Sequence, residues 1–65
     1  MQTVTFKEGE HWIVQGLEHD ICAQGISVLE AKSRFNLTVH LEQQEPGGLA
    51  RIGPAPEKFW KMDRD

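Results

Sequence analysis

The sequence predicts an α+β domain: an antiparallel sheet of three or four strands covered by one helix, in the order β-β-β-α-β, with a short helical tail. Three observations predict it. Two alternating apolar–polar segments lie at hairpin distance near the start, a helix-start signal stands at mid-chain, and proline and glycine punctuate everything after residue 45. Residues 1–53 are assigned to the domain and residues 54–65 to the tail.

Residues 3–7, Thr-Val-Thr-Phe-Lys, alternate in polarity and are rich in β-branched side chains, the mark of a half-buried strand. Glu8-Gly9-Glu10 supplies a turn, and residues 11–15, His-Trp-Ile-Val-Gln, supply the returning strand. Setting Phe6 opposite Trp12 and Val4 opposite Val14 makes one hairpin face wholly apolar, so a three-residue loop is expected. Gly16 and the polar Glu18-His19-Asp20 break the pattern, residues 21–24 form a short third strand, and Gly25 ends it.

Ser27-Val28-Leu29-Glu30 follows, a Ser with Glu three residues on, in which each side chain satisfies a free amide of the first helical turn. The helix is expected to run from 28 to 43 or 44, stopping before Pro46-Gly47-Gly48. Val28, Ala31, Phe35 and Val39 share one face and are expected to cover the sheet. Leu37 and Leu41 point the opposite way. Residues 49–52 read as a short fourth strand, residues 53–56 as a semi-rigid connector, and Pro56 opens a last turn whose apolar side is Phe59, Trp60 and Met62.

Composition narrows the function. The net charge is −3 and the seven basic residues are scattered singly, so no stripe follows a phosphate backbone and nucleic-acid binding is disfavoured. No apolar run approaches the roughly 20 residues of a membrane span, and the start lacks the pattern of a signal peptide. Cys22 is the single cysteine, which rules out an internal disulfide and fits a reducing cytoplasm. Between Ile21 and Ala23 it reads as a small buried hydrophobe. A domain of 65 residues is marginal without such staples, which points to self-association. Leu37 and Leu41 need a cover, either Phe59, Trp60 and Met62 or a second copy of the chain, and a symmetric dimer is expected.

No catalytic set stands out. His11, His19 and His40 lack the short spacings of metal ligands and read as surface histidines. Glu18-His19-Asp20 are neighbours in a loop, where convergence on one reacting atom is not expected. The strands carry no carboxylate at an interior position, so neither a two-metal nuclease centre nor any cofactor is expected. The aromatic pair Phe59-Trp60 between Lys58 and Lys61 reads as packing and not as a base-stacking platform.

From Trp12 to Glu42 the sequence resembles the HicB-like antitoxin family. The resemblance rests on Trp12-Ile13-Val14, on Gln24-Gly25, and on a Ser27-led helix carrying Glu30-Ala31. The proline of the family's loop is missing from Leu17-Glu18-His19-Asp20. The family's second, DNA-binding domain has no counterpart in these residues. The resemblance implies a module related to a truncated ribonuclease-H-like sheet and helix, which acts by occluding a HicA-type ribonuclease toxin. The expected contacts are Glu18, His19 and Asp20 in the loop and Glu8 and Glu10 at the hairpin tip, and the acidic balance of the chain suits a basic partner. The alternatives are a homo-oligomeric structural protein without a toxin and a weak RNA-binding module.

Overall fold

A computed structural model describes all of residues 1–65. Strands β1 (Thr3–Glu8), β2 (His11–Gly16) and β3 (Cys22–Gly25) form an antiparallel sheet in sequence order. Helix α1 (Val28–Gln43) follows, then one turn of 3-10 helix (Gly48–Arg51) and the short helix α2 (Glu57–Trp60). This is the α+β architecture expected from the sequence, with three strands. Residues 49–52 are not a fourth strand. They lie in and just after the 3-10 turn, with Leu49 and Ile52 packed against the core under α1.

The hairpin register differs from the expected one. Phe6 pairs with Ile13, Lys7 with Trp12 and Val4 with Gln15, so the loop is the two-residue Gly9-Glu10. Gly9 adopts φ 61° and no other residue type has a positive φ, which matches a turn with glycine at its first central position. The expected register assumed one wet face, but this sheet has no wholly wet face. Trp12 and Val14 turn towards α1, while Val4 and Phe6 turn to the other side, where the tail covers them.

Two small cores result. Val14, Ile21, Ala31 and Phe35 form the first between sheet and helix, with Trp12, Ala23 and Val39 packed around them. Val4, Leu17 and Ala55 form the second on the opposite face, beneath Phe6, Phe59, Trp60 and Met62. The rings of Phe6 and Phe59 stack at 5.9 Å, and Trp60 Nε1 donates to the Ala55 carbonyl at 3.1 Å. The tail therefore packs on its own sheet and does not cover Leu37 and Leu41. The third strand begins at Cys22, one residue later than expected, and the Cys22 side chain is exposed. It shares the tail-side face with Gln24, but the tail does not reach over β3.

Helix α1 starts as its cap signal requires. Ser27 sits in extended conformation and its Oγ accepts from the Glu30 amide at 3.1 Å. Glu30 reaches back to the Ile26 amide at 3.1 Å, one residue before the cap, and it lies 3.5 Å from Arg34. Ser27→Ala is expected to cost about 1 kcal/mol. Urea melts of the two proteins check this, and superimposable curves would count against the cap.

Candidate interaction surfaces

Three surface features carry chemistry. The first is the outer side of α1. Ala31 and Phe35 are buried against the sheet, whereas Leu29 is 77% exposed, Leu37 58% and Leu41 55%, with Ile26 74% exposed just before the helix. Leu29, Ser33, Leu37 and Leu41 recur every four residues and form one row, about 18 Å long at 1.5 Å per residue. Leu37 and Leu41 were legible on this face from the sequence. Leu29 belongs with them by the same helical spacing, and Ile26 is a further exposed apolar side chain just before the helix.

The second feature is the β2–β3 loop, whose polar groups bond to other parts of the chain. Glu18 accepts from the Gln2 amide at 2.8 Å. The Glu18 and Gln2 amides, with the positive chain terminus and His19, hold its carboxyl below the ordinary range despite some desolvation. His19 Nδ1 lies 2.7 Å from the Ile52 carbonyl, which can only accept, so Nδ1 carries the proton. The Asp20 amide donates to the Gly53 carbonyl at 2.7 Å, and the Ala55 amide donates to the Leu17 carbonyl at 2.9 Å. Gln15, buried and unremarked in the sequence, donates from Nε2 to Asp20 Oδ1 and to the Gly16 carbonyl, both at 2.9 Å. The loop is thus the saddle over which the chain passes from the helix side of the sheet to the tail side. Glu8 and Glu10 lie apart from it, exposed at the hairpin tip.

The third feature is a groove of about 380 Å³ between β1 and α1. Helix α1 packs chiefly on β3 and β2, which leaves the helix-facing side of β1 open. Val14 and Phe35 are apolar residues of its lining, and Thr3, Lys32, Asn36 and Asp65 are polar ones. Asp65 Oδ2 accepts from Thr3 Oγ1 at 2.7 Å and from Thr5 Oγ1 at 2.6 Å. Desolvation raises the Asp65 carboxyl, but the two hydroxyls, the Lys32 charge and the Thr5 amide together hold it below its ordinary value. Nothing in the sequence pattern singled out this pairing, because it joins residues 60 and more positions apart.

No group of three or more His, Cys, Asp or Glu side chains is placed to hold a metal ion. No helix is long and apolar enough to cross a membrane. These features define a small α+β domain whose sheet is packed over part of each face and whose main helix keeps an apolar outer row. Comparison with protein families, with curated proteins and with solved structures found no match to this chain.

Proposed function

We propose that this chain is a protein-interaction module of the HicB-like antitoxin type, which acts by covering a HicA-type ribonuclease toxin and has no catalytic role of its own. The observation that carries the protein-binding reading is the outer row of α1. Full burial of one leucine contributes roughly 2 kcal/mol, and Leu29, Leu37 and Leu41 stand largely exposed together with Ile26. The β-β-β-α order and the passage from Gln24-Gly25 into a Ser27-capped helix support the HicB-like reading. The acidic balance of the chain suits a basic, RNA-binding partner. Of the five expected contacts, Glu8 and Glu10 are the freest to meet it, since Glu18, His19 and Asp20 already bond within the chain.

The test is capture from the host followed by reconstitution. A small basic ribonuclease should be retained, and its cleavage of RNA should fall in proportion to added chain. Failure of any such ribonuclease to be retained, or cleavage unaffected by an excess of chain, would count against the reading.

A second reading is a symmetric homo-oligomer without a toxin, favoured by the spacing of the same row. Rows of side chains four apart interdigitate in the commonest class of helix packing. An antiparallel pair that seats Leu37 over the Ser33 gap of a second copy also brings Leu29 level with Leu41. Light scattering coupled to size exclusion separates dimer from monomer. Leu37→Glu combined with Leu41→Glu is expected to leave the melting temperature within a few degrees, because both side chains already face solvent. It is expected to abolish association through α1, whether with the ribonuclease or with a second copy. Undiminished binding by this variant would remove the row as the interface.

A further inference from the structure

We propose that the groove between β1 and α1 is a binding site for an extended acidic peptide, laid along the outer edge of β1 with a carboxylate held by Thr3, Thr5 and Lys32. The site lies beside the sheet edge and not on the leucine row, so it stands or falls independently of the antitoxin reading.

The backbone supplies the first half of the argument. The Gly16 amide donates to the Ile21 carbonyl across the β2–β3 end of the sheet. Bonding directions alternate along a strand, so Trp12, Val14 and Gly16 bond towards β3 while His11, Ile13 and Gln15 bond towards β1. In β1 it follows that Val4, Phe6 and Glu8 bond inward, and Thr3, Thr5 and Lys7 present their amides and carbonyls to the open edge. Unpaired edge groups of this kind accept an added strand.

The chain itself shows what the edge takes. The Asp65 amide donates to the Thr3 carbonyl at 2.9 Å, which is one bond of an added strand. The Asp65 side chain simultaneously accepts from the Thr3 and Thr5 hydroxyls, and Lys32 lines the same groove. Backbone pairing combined with a side-chain pocket is how strand-adding peptides are recognised. The pocket chemistry selects an anion, since it offers donors and one cation, and Asp65 is the one acidic residue of the groove lining. The groove continues past this contact over Val14 and Phe35, with space for more than one residue. Asp65 is exposed and engages through a single residue, so a longer acidic strand can displace it.

The test uses the full chain, labelled with nitrogen-15, as wild type and as Asp65→Ala. The probe is a blocked acidic pentapeptide, Ser-Met-Asp-Ser-Asp, and the control has asparagine at both aspartate positions. In Asp65→Ala the amide resonances of Thr3, Thr5, Lys32 and Asn36 should shift and saturate with the aspartate peptide. The wild type should bind ~10-fold more weakly, because its own Asp65 competes at high effective concentration. Adding Thr5→Val to Asp65→Ala should remove the gain while leaving the rest of the spectrum dispersed. The proposal is overturned by no shifts at these positions up to ~10 mM probe. Equal binding of the asparagine peptide would overturn it too, as would equal affinity in wild type and Asp65→Ala. Sodium acetate shifting the same resonances with the same affinity would show a bare carboxylate site in place of a peptide site.

Discussion

Replacing Phe59 and Trp60 together with alanine is expected to unfold the domain at room temperature. The two side chains cover Val4 and Leu17, which are completely buried on the face of the sheet away from α1. Their loss removes the stack on Phe6 and the hydrogen bond from Trp60 to the Ala55 carbonyl. Half-buried aromatic rings contribute roughly 2 kcal/mol each by the area they keep from water. A single core in a chain this short rarely supplies more than about 3–5 kcal/mol in total. Circular dichroism and urea melts read the effect directly. Trp60→Phe alone should cost less, because the Phe6–Phe59 stack and an aromatic ring at position 60 survive while the indole donor and part of the ring area are lost. If the double alanine variant melts like wild type, the tail does not cover the sheet in solution.

The second large effect is expected at Gly25. A Cβ there would lie 2.8 Å from the Ala31 amide nitrogen and 2.9 Å from Glu30 Cβ, so the end of β3 would be forced away from the first turn of α1. Backbone cannot yield as a flexible side chain can, and overpacking of this kind costs about 1–3 kcal/mol. Gly25→Ala should therefore destabilise by about 2 kcal/mol or more. Gly53→Ala is the control, because nothing lies within 4 Å of a Cβ at that position. It should be neutral or slightly stabilising, through reduced freedom of the unfolded chain. Equal melts for the two variants would mean that the contact between β3 and α1 is looser than described.

These two sites also divide what the sequence carried from what it did not. Gly25 was visible as a strand end before a capped helix, yet its close approach to α1 was not, because that distance depends on how the helix docks. The helix was legible almost to the residue, since Ser27, Glu30 and the Pro46-Gly47-Gly48 stop act within one or two turns of chain. Both hairpin strands were legible too, but their register was not. Alternation in residues 3–7 and 11–15 fits either pairing, and the wrong one was preferred because it assembled a single apolar face.

Of the candidate site residues, Leu37 and Leu41 were placed on the outer face of the helix by spacing alone, and they are exposed there. Glu18, His19 and Asp20 were recognised as a polar loop, but their partners Gln2, Ile52, Gly53 and Gln15 come from three other parts of the chain. No local pattern announces such bonds. The Thr3, Thr5 and Asp65 contact lies outside sequence reasoning for the same reason.

By itself, then, the sequence determined the elements whose physics is local: alternating strands, a capped helix, a proline-led final turn and a net negative charge. The tertiary structure decided the remainder through the path of the tail. Once residues 54–62 cross the β2–β3 loop and lie on the second face of the sheet, Val4 and Phe6 no longer need to share a face with Trp12 and Val14. The register can then follow the two-residue turn at Gly9, the leucine row is left uncovered, and Asp65 is delivered to the edge of β1. Hydrophobic burial has no direction, so periodicity states which side chains need cover, and only the folded chain determines what covers them.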